Sequence, residues 1–320
     1  MQVVLSGGAG FVGGALARRL RGRGDRVVGL VRDASTSGAR ALADIGCEVV
    51  ADDLFDVDRL AALMADTDGV IHAAGSYRIG IPASERPAMW DANVGTTTRM
   101  LDAAVAAGVP RIVYISTVNV FGNTKGRVVD ETYRRNRADG FLSWYDETKF
   151  RAHEVAEEHS RRGAPVVIVM PSQVYGPGDH TGFGEQLRLA NTGRLRYRAV
   201  DDVGVGLVHV DDLAAGIVAA LERGGIGESY VLSGPTTTLA EASAAAAALA
   251  GRRPPRLRIP SPVLRATAPL GRLIGQPNMR EVVSASAGVT YWASHDKATR
   301  ELGFAPRHIE AGLRDTFGAA

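Results

Sequence analysis

Val3-Val4-Leu5-Ser6-Gly7-Gly8-Ala9-Gly10-Phe11-Val12-Gly13 is the stretch whose reading decides the fold. The apolar run at its start reads as a strand and the glycines as a tight turn. Ala15-Leu16-Ala17-Arg18-Arg19-Leu20 then has the periodicity of a helix. Strand, glycine turn and helix in that order form a place where a dinucleotide pyrophosphate is held. Gly7 permits the turn, Gly10 lets the backbone approach the phosphates, and Gly13 lets the helix pack close to the sheet. The helix start at Phe11 and Val12 offers free N–H groups and a partial positive charge.

The rest of the first half repeats the pattern. Val3–Leu5, Arg26–Val31, Glu48–Ala51, Gly69–His72, Arg111–Ser116 and Val166–Met170 are continuous apolar runs, expected for strands buried on both faces. Helical stretches lie between them: Val12–Arg23, Ala39–Ile45, Val57–Ala65, Gly95–Ala107 and Trp144–Arg162. The fold class expected is α/β, a doubly wound parallel sheet. Residues 1–170 would form the nucleotide-binding domain, with 205–232 returning to its sheet. Residues 171–204 and 233–320 would form a smaller substrate-binding lobe.

Bulk properties narrow the function classes. The chain has 320 residues, enough for a large core, and ordinary contents of hydrophobic (45%) and aromatic (6%) residues for a globular protein. A net charge of +2 gives no electrostatic case for nucleic acid. The single cysteine, Cys47, cannot form an internal disulfide and reads as a small core residue. With the first strand starting near residue 2, no signal peptide is expected, and no apolar run is long enough for a membrane span. A cytoplasmic location follows as the expectation. The alanine-rich stretch at 240–250 reads as an ordinary helix. Arg252 to Arg272 mixes prolines and arginines with apolar residues. It is expected to cap a lobe rather than lie on a membrane, because its prolines interrupt any long amphipathic helix.

Tyr145 and Lys149 stand four apart in Tyr145-Asp146-Glu147-Thr148-Lys149, so a helix places them on one face. A cation near a tyrosine lowers its pKa and fits it for proton transfer near neutral pH. The strand ending Tyr114-Ile115-Ser116-Thr117 brings hydroxyl groups to the sheet's C-terminal edge, where ligands of such sheets bind.

Glycines three apart at 7, 10 and 13, Thr117 five residues before Gly122, and the Tyr145/Lys149 pair together resemble the extended short-chain dehydrogenase/reductase family. Further similar stretches are Asp53-Leu54, His72-Ala73-Ala74, Asn93-Val94-Gly95-Thr96, Pro171-Ser172-Gln173-Val174-Tyr175-Gly176-Pro177-Gly178, His209-Val210-Asp211-Asp212-Leu213-Ala214 and the closing Lys297-Ala298 with Glu301-Leu302-Gly303. The resemblance implies that Thr117 polarises a substrate carbonyl and Tyr145 moves the proton. Lys149 would bind the nicotinamide ribose and lower the tyrosine pKa. It also implies cofactor contacts from Asp53 and Leu54 at the adenine, Ala73 and Ala74 beside the passing cofactor, and Pro171, Gln173 and Val174 under the nicotinamide. Ser116 is the less suitable hydroxyl, since strand alternation points it away from Thr117. No metal site is assigned.

The second strand ends Leu30-Val31-Arg32-Asp33. Val31 stands where a ribose-binding carboxylate is expected, and Arg32 supplies a guanidinium for a 2′-phosphate. NADP is therefore the expected cofactor, with NAD open through Asp33. Gly204-Val205-Gly206-Leu207-Val208 has no cation to clamp a sugar-nucleotide diphosphate. The chain is most similar to the dihydroflavonol-reductase-like, 3β-hydroxysteroid-dehydrogenase-like and hopanoid-associated sugar epimerase-like branch. The expectation is an NADP-dependent oxidoreductase interconverting a carbonyl and an alcohol on a small molecule. The alternatives are a sugar or nucleotide-sugar epimerase/dehydratase and a non-catalytic dinucleotide sensor. A homodimer is left open.

Overall fold

A computed structural model describes residues 1–318, apart from the side chains of 272–274; Arg272 therefore lies outside what is described. Twelve strands alternate with helices along the described chain. The strands are β1 Gln2–Ser6, β2 Arg26–Val31, β3 Glu48–Ala51, β4 Gly69–His72, β5 Ile112–Ile115, β6 Val166–Pro171, β7 Gln173–Tyr175, β8 Arg198–Ala199, β9 Gly204–His209, β10 Ser229–Leu232, β11 Thr236–Thr238 and β12 Arg258–Ile259. The helices used below are α1 Phe11–Gly22, α2 Ser37–Asp44, α3 Val57–Met64, α4 Arg86–Trp90, α5 Thr96–Ala106, α6 Trp144–Arg161, α7 Gly182–Asn191, α8 Val210–Arg223, α9 Leu239–Leu249 and α10 Ser261–Thr267.

Seven strands form one parallel sheet in the order β10-β6-β5-β4-β1-β2-β3. The order reverses between β1 and β4, so their C-terminal ends open the crevice in which such folds hold ligands. β1, β4 and β6 are buried almost throughout, as their unbroken apolar sequences require. One apolar cluster joins the sheet to α3 and α5; the other joins it to α1 and α8. The alanine-rich stretch is helical, and Thr238 and Glu241 cap its start reciprocally.

One expectation is corrected. Residues 205–210 do not rejoin the main sheet. β9 pairs with β7 and β11 in a separate three-stranded sheet, and β10 is the strand that returns, beside β6. Within 205–232, α8 packs on the main sheet and β10 joins it, whereas β9 does not. β9 contains Gly204 and Gly206, where a Cβ would meet Trp292 at 2.8 Å and Ser233 Oγ at 2.0 Å. Those close approaches hold β9 against its own small sheet.

Candidate active site

The glycine turn fits a pyrophosphate. Gly7 has φ +72°, and a Cβ there would sit 2.7–2.8 Å from the backbone of Ala73 and Ala74. A Cβ on Gly13 would fall 2.1 Å from the Gly7 carbonyl oxygen. At Gly10 a Cβ would meet only that oxygen, at 3.3 Å, so its outer side is open to a ligand. The N–H groups of Phe11, Val12 and Gly13 begin α1 and have no acceptor one turn earlier. Phe11, Val12, Ala73, Ile115 and Val174 are half-buried apolar residues packed on one core cluster beneath this edge. Pro171 ends β6 and is buried; Gln173 lies in β7 and donates to the Val174 carbonyl at 3.3 Å.

At the other end of the groove, Arg32 is exposed and has no ion pair among the described residues. Asp33 is engaged: its Oδ1 accepts from the Ser35 N–H at 2.8 Å, and hydrogen bonds from Ser35 hold its carboxyl below the usual range. Asp53 is exposed and accepts from the Phe55 N–H at 3.1 Å. Asp52, not noticed in the sequence, is the buried carboxylate. It accepts from the Leu54 N–H and from Arg59 Nε, each at 2.7 Å. Leu54 is buried at φ +62°, a backbone conformation unfavourable for a leucine. Asp52 holds it there from one side, and Arg99 Nε, donating to its carbonyl at 2.7 Å, from the other.

α6 carries the catalytic candidates. Ser143 caps it by accepting from the Asp146 N–H at 3.0 Å, and Asp146 and Glu147 favour its positive end. Tyr145, Lys149 and His153 follow one another a turn apart, all buried. Lys149 Nζ and His153 Nδ1 reach the end of β5. Lys149 Nζ donates to the Tyr114 hydroxyl at 3.1 Å and the Ile115 carbonyl at 3.0 Å. His153 Nδ1 meets Ser116 Oγ at 2.9 Å, and Glu157 lies 3.5 Å from its Nε2. Thr117 is extended and buried, donating to Asn119 Oδ1 and accepting from the Asn119 N–H, each at 3.2 Å.

Electrostatics modify the sequence expectation. Burial raises the Tyr145 pKa well above its ordinary value, and neighbouring Tyr77, Tyr114 and Asp146 act the same way. The Thr117 hydroxyl acts the other way, favouring the phenolate. The Lys149 ammonium donates to Tyr114 and Ile115 rather than to Tyr145. Burial pushes Lys149 itself down to about 8.

A directional network braces this edge. Thr97 donates to the Asn93 carbonyl at 2.7 Å, so its oxygen accepts from His72 Nε2, 3.1 Å away. His72 Nδ1 then accepts from Ser6 Oγ at 2.7 Å, and Ser6 Oγ accepts from the Ala74 N–H at 3.3 Å. Burial, aided by the Lys149 charge, lowers the His72 pKa to about 3 and keeps the ring neutral. Asn93 continues the network to Ser76 and, at 2.9 Å, to Thr148, whose hydroxyl donates to the Tyr145 carbonyl at 3.0 Å.

The space beside Tyr145 is apolar. Tyr145 clusters with Ile81 and Met89, with Ile79 and Trp144 packed against them. The half-exposed Tyr77 ring stands edge-on at 4.8 Å. A cleft of about 760 Å³ continues from Ile81, between Pro82, Ala83 and Arg86 on one side and Gly275, Pro277 and Asn278 on the other. Tyr77, Trp144, His153 and the Arg135–Asp146 pair next to Tyr145 (2.7 Å, both buried) carried no motif in the sequence. Only the fold brings them to the site. Among the described residues no cluster of His, Cys, Asp and Glu is placed to hold a metal ion.

Comparison with known proteins agrees with this geometry. A protein of Synechocystis sp. named "Putative dihydroflavonol 4-reductase" is 32% identical over 97% of this chain and 92% of its own. The 4-hydroxy-2-methyl-3-oxo-4-farnesyl-3,4-dihydroquinoline-1-oxide ketoreductase of Stigmatella aurantiaca is 28% identical over 96% and 92%. A solved nucleoside-diphosphate-sugar epimerase from Pseudomonas aeruginosa superposes with a TM-score of 0.80 at 26% identity, covering 99% of this chain and 96% of that one. The family model for the NAD dependent epimerase/dehydratase family matches residues 3–233. With glycine cradle, Thr117, Tyr145 and Lys149 all inside the matched span, the chain belongs to the NAD dependent epimerase/dehydratase family.

Proposed function

We propose that the protein is an NADP-dependent oxidoreductase that interconverts an apolar ketone or aldehyde and its alcohol. The observation that carries this reading is the apolar enclosure of Tyr145 by Tyr77, Ile79, Ile81, Met89 and Trp144. Such walls suit an aromatic or aliphatic carbonyl compound and offer little to a sugar diphosphate. The segment 204–208 likewise has no cation for a diphosphate. The farnesyl-bearing substrate in the name of the Stigmatella relative points the same way.

When bound, the dinucleotide supplies the hydride. The chain's own residues do the rest. The turn at Gly7, Gly10 and Gly13 holds the pyrophosphate on the start of α1. Arg32 meets the 2′-phosphate, since Asp33 is already occupied by Ser35. Thr117 turns its hydroxyl from Asn119 to the substrate oxygen, and Tyr145 gives that oxygen its proton. A phenol held above its ordinary pKa is fully protonated at neutral pH, the state required for reduction. Lys149, near 8, is mostly charged at pH 7 and donates to the ribose.

A second reading, an epimerase or dehydratase, is favoured by the Pseudomonas structure. A panel of aryl ketones, steroid ketones and sugar nucleotides with NADPH separates the two. Loss of reduced-cofactor absorbance with the apolar ketones supports the oxidoreductase. Isomerised sugar nucleotide without net cofactor loss supports the epimerase.

A further inference from the structure

We infer that the outer face of residues 251–280, with Arg194–Tyr197 beside it, docks the protein onto an anionic lipid bilayer. This goes beyond the activity proposed above. Residues 251–280 contain seven arginines and no Asp, Glu or Lys. A chain of net charge +2 therefore concentrates positive charge in one short segment.

The segment has two sides. Leu264 of α10 and the following Ala268 turn inward onto Val200, Met279, Val283 and Ala287. That inner side is the cap expected from the sequence. The outer side is different. β8 and β12 run parallel with Arg198 opposite Arg258, and these two share the buried Asp201 at 3.6 and 3.4 Å. Tyr197 and Leu257, immediately before them, are 50% and 63% exposed; Val263 and Leu270 are 48% and 60% exposed. Among the described residues, Arg194, Arg196, Arg252, Arg253, Arg256 and Arg280 have no acidic partner within salt-bridge distance.

Unpaired guanidinium groups and water-exposed aliphatic side chains in one segment match the chemistry of a membrane interface. The arginines meet lipid phosphates, and the apolar side chains enter the acyl boundary. Nucleic acid would use the charges but leave Leu257, Val263 and Leu270 without partners. No long helix is required, so the interrupting prolines do not oppose this docking. The same segment supplies Gly275, Pro277 and Asn278 to the cleft whose other wall holds Ile81, and Ile81 packs with Tyr145. Docking on this face sets that cleft beside the lipid surface.

The test uses the full chain and sedimenting vesicles, one set of phosphatidylcholine and one with about 30 mol% phosphatidylglycerol, at low and high salt. The protein should sediment with the anionic vesicles and be released in part by salt. Arg196→Gln/Arg253→Gln/Arg256→Gln should weaken partition by on the order of 100-fold, at roughly fivefold per charge removed. Leu257→Gln/Val263→Gln should weaken it at both salt concentrations. Retained NADPH binding and unchanged Tm certify that the variants fold, and either variant set suffices if the other does not. No preference for anionic vesicles, or binding indifferent to both sets, overturns the proposal. Duplex DNA bound as tightly as vesicles, and equally by Leu257→Gln/Val263→Gln, assigns the face to nucleic acid and also overturns it.

Discussion

The C-terminal edge of the seven-stranded sheet and the outer face of residues 251–280 are built by opposite means. At the sheet edge every polar atom of His72, Thr97, Asn93 and Thr148 has a partner, and two glycines touch backbone that admits no Cβ. On the other face, arginines lack partners and aliphatic side chains lie in water. Chemistry that needs atoms placed to a fraction of an ångström is over-determined by packing and hydrogen bonds. A face that meets an extended, variable surface needs only charge and apolar area. The comparison therefore predicts large, position-specific effects at the edge.

The largest is at Tyr145. Tyr145→Phe keeps the ring against Tyr77 and removes the hydroxyl, so turnover should fall by about 10²–10⁴ while NADPH affinity stays near wild type. An active Phe variant would remove Tyr145 from the chemistry.

Next comes Arg32. A hydrogen bond to a charged group contributes about 1.5–3 kcal/mol, so Arg32→Ala should weaken NADPH by roughly 10–100-fold and hardly change NADH. Val31→Asp with Arg32→Ala should reverse the preference. Titration of both reduced cofactors decides this; equal wild-type affinities would make Arg32 an ordinary surface residue.

His153 offers a finer break. It is a positioning residue, bracing Ser116 between the Lys149 acceptor at Ile115 and the Thr117 hydroxyl. His153→Leu should lower kcat by about tenfold with cofactor affinity unchanged, the loss of roughly one buried hydrogen bond. His153→Asn, which can still reach Ser116, should recover part of it, and Ser116→Ala should add little to His153→Leu. Additive losses, or a fall in Tm with normal kcat per folded molecule, would reduce His153 to a packing role.

The last effect is on stability rather than turnover, and it is pH-dependent. Lys149 falls from 10.5 to about 8 on folding. Between these values the unfolded chain binds the extra proton, so this group adds stability as pH rises from 8 to 10.5 and changes nothing below 8. The unfolding free energy of wild type minus that of Lys149→Met should rise over that window by up to about 3 kcal/mol. A flat difference would mean that Lys149 keeps its ordinary basicity.

These residues differ in how far the sequence announced them. The glycines at 7, 10 and 13 and the strands β1 to β6 were legible because backbone constraints and unbroken apolar runs are local signals. Tyr145 and Lys149 were legible because one helical turn joins them. Partner choice was not. Lys149 turns to Tyr114 rather than Tyr145, and β9 pairs with β7 and β11 rather than the main sheet. Both outcomes depend on residues far away in the chain. The same holds for the Ser6–His72–Thr97–Asn93 network and for Tyr77, whose isolated positions in sequence say nothing of where they meet. Arg252 to Arg272 was half legible: a cap was expected and Leu264 and Ala268 form it, whereas the exposure of Leu257, Val263 and Leu270 depends on which side of the segment meets the rest of the fold.

The central claim is that apolar walls around Tyr145 serve net reduction of a carbonyl. Its most direct test is stoichiometry. Wild-type protein, an apolar ketone and NADPH should yield one alcohol for each NADPH oxidised, and Tyr145→Phe should yield almost none. Turnover of a sugar nucleotide by protein that retains its dinucleotide, with no net oxidation of added NADPH and no alcohol from any ketone, would contradict the account.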